Sequence, residues 1–200
     1  MMKFALATAN KGKITEICEI LSEHNIKAVT RDELGINVEI EETGFSFYEN
    51  ALIKAKVICK LSGLPSIADD SGICIDALDG APGIFTSSFG GENLTDSERN
   101  EYLLSLLDDV EHRGAKFVCN IVCVFPNDDV INAVGECKGE ILRTPIGTNG
   151  FGYDPVFRAE GQTKSMAELP TQVKNDISHR GRALKAFAAK LNDYVKKREY

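Results

Sequence analysis

The sequence predicts an α/β fold in which helices flank a mixed β-sheet. In the first half of the chain, short apolar runs typical of strands alternate with segments of helical periodicity. Two later strand-like runs, at residues 116–125 and 129–137, are joined by Pro126, Asn127 and Asp128, which predicts an antiparallel hairpin. Strands joined through helices, followed by a hairpin, indicate a mixed sheet. With 200 residues and no repeats, we expect one α/β domain over residues 1–200.

The chain opens with a predicted strand, a polar loop and a helix. KFALA, at residues 3–7, is apolar enough to form a buried strand, and TANKGK follows it at residues 8–13. After this loop, apolar residues recur at the spacing of a helix, at Ile14, Ile17, Cys18 and Leu21. We predict a second strand for INVEIE, residues 36–41, because apolar and polar side chains alternate strictly there.

Capping signals place the remaining helices. Ser46 and Glu49 have the spacing of a capping box, and the apolar stripe after them ends near Gly63. A second box, Thr95 and Glu98, begins a predicted helix that runs through Leu107. SHRG begins the last predicted helix, with Ser178 as its cap and an apolar side made of Ala183, Leu184, Phe187, Leu191 and Tyr194.

Composition and charge exclude several classes of function. A net charge of −7 argues against a nucleic-acid polymer as partner, because such binding needs a basic face. No apolar run approaches the roughly 20 residues of a membrane helix, and the first residues lack the apolar core of a signal peptide. We therefore expect a cytoplasmic protein without a membrane partner, whose six cysteines are reduced thiols.

In SIADDSGICID, residues 66–76, we predict that SIA and ICID form a strand and its continuation, with two adjacent acids between them. A buried carboxylate is unfavourable unless it is paired or binds a metal, so Asp69 and Asp70 mark either a strand end that reaches water or a site. Glu41 and Asp70, each at a predicted strand end, could converge on one divalent cation, and oxygen ligands suit Mg²⁺ or Mn²⁺. A solvated strand edge is the alternative.

Four further segments carry side chains suited to a nucleotide. The TANKGK loop precedes a helix, whose N-terminus favours phosphate, although the loop taken by itself is better explained as a plain connection in which Lys11 and Lys13 are solvated. GTNGFGYDP, residues 147–155, combines glycines with Phe151 and Tyr153, which offer a stacking face for a base; a long connection is the alternative. His179 and Arg180 lie in the first turn of the last helix, where the helix dipole disfavours cations. Such a pair indicates an anionic or carbonyl partner, and a solvated first turn is the alternative. Taken by themselves, three polar residues of the second helix are predicted to lie at the surface: Asn50, Lys54 and Lys56.

Six blocks in this order resemble the inosine triphosphatase, or XTP/dITP diphosphatase, family of noncanonical purine nucleoside triphosphate pyrophosphatases. The blocks are TANKGK, EETGFSFYENALIKA, ADDSG, APGI, GTNGFGYDPVF and SHRGRALK. The resemblance implies hydrolysis of ITP, dITP and XTP to the monophosphate and pyrophosphate. It also implies a homodimer and an elongated mixed sheet in two lobes, with an active-site cleft between them.

The resemblance also implies roles for individual residues. Asp70 is the implied catalytic base, and Glu41 and Asp70 are the implied Mg²⁺ ligands, with Mn²⁺ as a possible substitute. The implied phosphate-binding residues are Thr8, Ala9, Asn10, Lys11, Gly12, Lys13 and Lys54. Ser71 is implied to contact the substrate, and the implied base pocket consists of Phe151, Gly152, Tyr153, Asp154, Lys174, His179 and Arg180. Asp69 is expected to hold the strand end through backbone hydrogen bonds.

Two positions depart from the family pattern, and two other functions stay open. The family usually has glycine where this chain has Ala9, and arginine where it has Ser88. A related enzyme acting on modified pyrimidine triphosphates would keep the mechanism and change the base. A nucleotide-binding regulator without turnover is a second alternative, but a pure binder does not need the acids at Glu41 and Asp70. A purely structural protein would leave the glycine loop and SHRG unexplained.

Overall fold

The computed structural model describes residues 3–197 and contains six strands and five α-helices in this range. The strands are β1 (Lys3–Leu6), β2 (Lys27–Thr30), β3 (Ser66–Ile75), β4 (Gly114–Val124), β5 (Val130–Ile141) and β6 (Phe157–Ala159). The helices are α1 (Lys11–Glu23), α2 (Phe47–Ser62), α3 (Asp96–Leu106), α4 (Thr171–Ile177) and α5 (His179–Lys196). The predicted α/β class is confirmed, and β1, α1, α2, β3 and α3 lie where a strand or helix is predicted. The differences are described below.

The six strands form one mixed sheet in the order β2-β1-β3-β4-β5-β6. β1 pairs in parallel with both β2 and β3, whereas β5 and β6 are antiparallel. β4 and β5 are neighbours joined by five residues, which is too short a connection for parallel strands, so they form the predicted hairpin. A mixed sheet is therefore confirmed.

The chain divides into two units. The first takes in the described residues up to Asp70, then Cys119–Gly135, and the residues from Arg180 onward. The second consists of Ser71–Val118 and Glu136–His179. β3, β4 and β5 each contribute residues to both units. The single domain over residues 1–200 stays a prediction.

In the first unit, the alternation of β1 separates two apolar clusters. Phe4 and Leu6 pack with apolar residues of α1 and α5, including Ile17 and Phe187. The intervening residues Ala5 and Ala7 pack instead with α2, whose buried face is also rich in alanine. Successive side chains of a strand point to opposite faces of the sheet, so α1 and α5 cover one face and α2 covers the other.

The second unit has one apolar cluster. β3 contributes Ile73 and Ile75 to this cluster, and α3 contributes Leu103. Phe117 of β4 lies edge-to-face against Phe157 of β6, with ring centroids 4.8 Å apart. Cys137, Tyr153 and Met166 are buried in the same cluster. The loop that precedes β6 is therefore anchored on a packed core.

The predicted strand at residues 36–41 is wrong, although its burial pattern is right. Ile36, Val38 and Ile40 pack on the α2 cluster and the residues between them are exposed, but no strand pairs with the segment. The guanidinium of Arg31 donates instead to the carbonyl oxygens of Ile36 and Val38. A side-chain donor thus satisfies backbone acceptors that a neighbouring strand would otherwise occupy.

Other elements also differ from the prediction. β2, β6 and α4 were not predicted, because their runs are short and their apolar patterns are weak. Asp69 and Asp70 lie inside β3 rather than at a strand end, and Glu41 lies in no strand. Among the described residues, no helix is long and apolar enough to span a membrane.

Candidate active site

The loop after β1 forms the N-terminal cap of α1. The Asn10 side chain accepts a hydrogen bond from the backbone N–H of Lys13 at 3.1 Å, and the Asn10 N–H donates to the Thr8 hydroxyl at 3.2 Å. In the described range, the non-glycine residues with positive φ are Asn25, Asp79 and Asp128, so Ala9 fits its loop without strain. Residues 8–13 thus present the partly exposed positive end of a helix dipole, which favours phosphate.

Asp69 is held by side-chain cations. Lys13 Nζ of α1 lies 2.9 Å from Asp69 Oδ2, and Arg180 Nη2 of α5 lies 3.3 Å from the same oxygen. Arg180 also donates to Glu16 of α1. Burial raises the pKa of Asp69, but Lys13 and Arg180 lower it by more, so the net shift is downward. Asp69 therefore belongs to a buried ion network, and the expected backbone hydrogen bonds at its carboxylate stay a prediction.

Asp70 points to the opposite face of the sheet and meets a different set of side chains. Lys54 Nζ of α2 lies 2.8 Å from Asp70 Oδ1 and 2.9 Å from Glu42 Oε2. Asn50 Nδ2 lies 3.5 Å from Asp70 Oδ2. Burial raises the pKa of Asp70 to about 6, although Lys54 counteracts part of this shift. Asp70 is therefore ionised at neutral pH and close enough to its pKa to exchange a proton.

Burial shows that the surface prediction for α2 holds for one residue of three. Lys56 is exposed, whereas Asn50 is 3% and Lys54 is 8% exposed. Burial lowers the pKa of Lys54, but Asp70, Asp69 and Glu42 raise it by more, so the ammonium form is favoured. Lys54, which the sequence predicts to be solvated, is instead buried between the carboxylates of Asp70 and Glu42.

The donor atoms around Asp70 suit a hard divalent cation. One oxygen of Asp70 and one of Glu42 contact the Lys54 ammonium, so both carboxylates face the same positive charge. Mg²⁺ is commonly bound by one or two carboxylates, with water and substrate phosphates completing its shell. Among residues 3–197, no group of three or more His, Cys, Asp or Glu side chains could hold a metal ion. Glu41 is exposed, and its role as a ligand stays a prediction.

The glycine loop of the second unit contains a compact charged cluster. The Asp154 carboxylate accepts a hydrogen bond from the Phe151 N–H at 2.9 Å and lies 2.5 Å from Lys174 Nζ of α4. The Lys174 ammonium also lies 5.0 Å from the centroid of the Phe151 ring. A Cβ at Gly150, where φ is +76°, would lie 2.1 Å from Asp154 Oδ2. Glycine is therefore required for both space and backbone conformation.

Two aromatic residues predicted for the base pocket are buried. Tyr153 is 3% exposed, and its hydroxyl donates to the Thr86 carbonyl oxygen at 3.0 Å. His179 stacks on Phe117 with ring centroids 4.6 Å apart and an interplanar angle of 12°. Phe151 is half-buried. Ser71, which follows Asp70 in β3, is also half-buried.

Sequence reasoning gave no role to four residues that contact the predicted ones, although Glu42 belongs to the acid-rich set around Glu41. Glu42 and Glu16 complete the clusters around Lys54 and Arg180. Asp96 and Asn100 of α3 bond to the backbone of Gly152. The capping box at Thr95 and Glu98 does indicate that residues 96 and 100 share a helix face, but nothing in the sequence indicates what that face contacts.

Comparisons with known proteins give consistent results over nearly the whole chain. The model of the Ham1 family matches residues 4–190. A dITP/XTP pyrophosphatase from Streptomyces avermitilis is 43% identical over 202 residues, which cover 98% of this chain and 100% of the relative. One from Shigella flexneri is 45% identical over 197 residues, with 96% and 100% covered. The structure of a HAM1 protein from Coxiella burnetii matches with a TM-score of 0.87 and 43% identity, covering 96% of this chain and 100% of that one.

Proposed function

Because this chain belongs to the Ham1 family, we propose that it hydrolyses the noncanonical purine nucleoside triphosphates ITP, dITP and XTP to the monophosphate and pyrophosphate. Relatives with 43–45% identity are named dITP/XTP pyrophosphatases and match the chain almost end to end. Of the geometry described above, the pairing of Asp70 with Lys54 supports this activity most directly. It combines a carboxylate that can take a proton with a cation that can bind phosphate.

Water attacks the α-phosphorus in the proposed reaction. The bond between that phosphorus and the oxygen bridging to the β-phosphorus breaks, and pyrophosphate leaves. Asp70, with a pKa of about 6, accepts a proton from the attacking water. Asp69 stays ionised because its pKa is shifted in the opposite direction, which leaves the role of base to Asp70.

The phosphates are assigned to the N-terminus of α1 and to two lysines. Residues 8–13 offer backbone N–H groups and a positive dipole end, and Lys13 and Lys54 add charge. Mg²⁺, or Mn²⁺ in its place, is proposed at Glu41 and Asp70, where it would neutralise phosphate charge and orient the substrate. Glu42 shares the Lys54 ammonium with Asp70, so we add it as a candidate for the same role.

The base is assigned to residues of the glycine loop and of the SHRG segment. Phe151 stacks on the base, and Gly152, Tyr153, Asp154 and Lys174 shape its surroundings. His179 or Arg180 donates to the oxygen at the six position of hypoxanthine and xanthine. Adenine has an amine there, so donors would face donors, and such a buried mismatch discriminates by roughly 10⁴-fold. The elongated, two-lobed shape with a cleft stays a prediction.

Product analysis with ITP, XTP, ATP and GTP, each with and without Mg²⁺, tests the proposal. We expect monophosphate and pyrophosphate from ITP and XTP, little turnover of ATP or GTP, and no turnover without metal. Guanine also carries the oxygen at the six position, so rejection of GTP depends on crowding at the two position. Orthophosphate and a diphosphate would mean attack at the terminal phosphorus. Preference for a modified pyrimidine triphosphate would change the substrate class, and tight ITP binding without hydrolysis would indicate a regulator.

The oligomeric state and the cellular location of the protein are proposed from the same resemblance. We propose a homodimer in the cytoplasm. The chain has a mass of 21.9 kDa, and light scattering on the purified protein should measure twice this value. A mass equal to that of the chain, at concentrations where the enzyme is active, would contradict the dimer.

A further inference from the structure

Two side chains of α3 bind the two backbone polar groups of one residue of the glycine loop, Gly152. Asp96 Oδ2 accepts a hydrogen bond from the Gly152 N–H at 2.6 Å. Asn100 Nδ2 donates to the Gly152 carbonyl oxygen at 3.0 Å. Residues four apart lie on the same face of a helix, so one rigid element binds both polar groups of Gly152. We call this pair of side chains the α3 clip.

Stability alone does not explain an asparagine at position 100. Asn100 is 3% exposed, and within the described part of the chain its Oδ1 has no hydrogen-bond partner. A buried amide oxygen without a partner is unfavourable, and an apolar side chain of similar size would avoid this penalty. The bond to Gly152 also fixes the orientation of the amide, because a carbonyl oxygen only accepts. The residue therefore fits a positioning role better than a packing role.

The clip acts next to the aromatic ring assigned to the base. Phe151 precedes Gly152, and the Phe151 N–H is bound to Asp154, which in turn binds Lys174. Phe151 is thus held through its own N–H by the Asp154 carboxylate, and through the next residue, Gly152, by the α3 clip. A glycine with φ of +62° would otherwise be a flexible point in the loop. Recognition sites need placement within about half an ångström, which the clip supplies from a helix.

We propose that Asp96 and Asn100 are positioning residues that set the place of Phe151 for the purine base. This inference rests on the proposed function, since the base is assigned to this loop. The hydrogen bonds of the clip go to the backbone of Gly152, in the loop to which the base is assigned. Loss of the clip therefore weakens binding of the base and selectivity between bases, and leaves the hydrolytic step unchanged.

The first test removes the two hydrogen bonds of the clip one at a time. In Asn100→Asp the shape is kept, but an acceptor faces the Gly152 carbonyl oxygen. We expect KM for ITP to rise about tenfold, because a loop that has lost this hydrogen bond must be ordered when the base binds. The hydrolytic step is not affected, so kcat should stay within about twofold. Asp96→Ala should have the same effect, and Asp96→Asn, which retains an acceptor oxygen, should restore KM. Glu101→Ala removes an exposed charge from the same helix and serves as the matched control.

A second variant separates positioning from folding. Asn100→Leu removes both the unpaired buried oxygen and the donor to half-buried Gly152, whose carbonyl oxygen can bind water instead. The melting temperature should therefore change little, while KM rises as in Asn100→Asp. A fall in melting temperature, with KM unchanged, would overturn the proposal in favour of a structural role. A lower kcat at unchanged KM would also overturn it.

Amide hydrogen exchange distinguishes failure of this inference from failure of the proposed function. The Asn100→Asp and Asp96→Ala variants should exchange faster than the unsubstituted protein at residues 147–155, and Glu101→Ala should not. If the unsubstituted protein fails to hydrolyse ITP, the proposed function is wrong, and faster exchange confined to this loop still supports the clip. Unchanged exchange in both variants overturns the clip whatever the activity.

Discussion

At the scale of single residues, neighbouring acids on β3 have opposite electrostatic surroundings. Strand alternation sends Asp69 toward Lys13 and Arg180, and Asp70 toward Lys54. Two cations against one buried carboxylate lower its pKa, whereas burial dominates for the other and raises its pKa. Adjacent positions therefore supply one carboxylate that stays charged and one that can exchange a proton.

We predict that Asp69→Asn destabilises the fold strongly. The variant leaves the buried guanidinium of Arg180 with one carboxylate partner fewer, and breaking a buried ion pair from one side costs about 3–5 kcal/mol. Urea unfolding at pH 7 measures this difference. Glu136→Gln is the control, because the Lys116–Glu136 pair is half-exposed and its loss costs about 1 kcal/mol or less. Equal losses in the two variants would contradict a special role for the buried network.

The effect of Asp69→Asn should also depend on pH. The pKa of Asp69 in the folded protein lies below its unfolded value of about 3.9, so the network stabilises the fold above that pH. This stability is lost as pH falls through the folded pKa. We expect the two proteins to differ most at neutral pH and to converge under acid conditions, as measured by unfolding at a series of pH values.

Asp70 should titrate near pH 6 in the metal-free protein. Burial raises its pKa to about 6, so its carboxyl is protonated below this pH and available as a base above it. Carbon NMR of the side-chain carboxyls measures the titration, and Asp70→Asn identifies the signal by removing it. Added Mg²⁺ should move the midpoint to lower pH, because a cation favours the ionised form. A midpoint below about 4 without metal would contradict the effect of burial.

At the scale of elements, the glycine loop should be sensitive to a methyl group at Gly150. Gly150→Ala would place a Cβ 2.1 Å from Asp154 Oδ2 and 2.9 Å from Lys174 Nζ. We expect this variant to raise KM for ITP more than tenfold, because Asp154 must leave Phe151 or Lys174. Steady-state kinetics on ITP measures the effect.

Gly161→Ala is the matched control for that experiment. Gly161 has φ of +79°, close to the +76° of Gly150, but a Cβ there meets no atom within 4 Å. Both variants share the backbone strain of about 1 kcal/mol, and only Gly150→Ala adds the collision. Similar KM values for the two variants would mean that the collision with Asp154 does not limit binding of ITP.

At the scale of the whole molecule, an acidic protein with a local basic cluster should bind small anions and reject polymers. The net charge is −7 and the pI is about 5.1. A polyanion meets this overall charge along its length, whereas a triphosphate meets only the lysines near α1 and α2. We predict no binding of RNA or duplex DNA at about 0.15 M salt, measured by fluorescence anisotropy, and no inhibition of ITP hydrolysis. Micromolar affinity for either polymer would contradict this prediction.

Local patterns in the sequence were sufficient for most of the fold. Helical periodicity and capping residues located α1, α2, α3 and α5, because both signals involve residues within one or two turns. The same reasoning located β1, β3 and the hairpin of β4 and β5. It also identified Asp70 as an unusual acid and residues 147–155 as a special loop, since both break a local rule.

Contacts between residues distant in sequence were decided only by the tertiary structure. The alternation at residues 36–41 correctly predicts which side chains are buried, but pairing requires a partner strand, and Arg31 takes that place. Lys54 has the sequence signature of a surface residue, and becomes buried because β3 brings Asp70 to it. Gly152 is likewise bound by residues of α3 more than fifty positions away. The sequence by itself determined the class of fold and the chemistry available, whereas packing decided which charges meet, because burial and ion pairing depend on neighbours that no local pattern specifies.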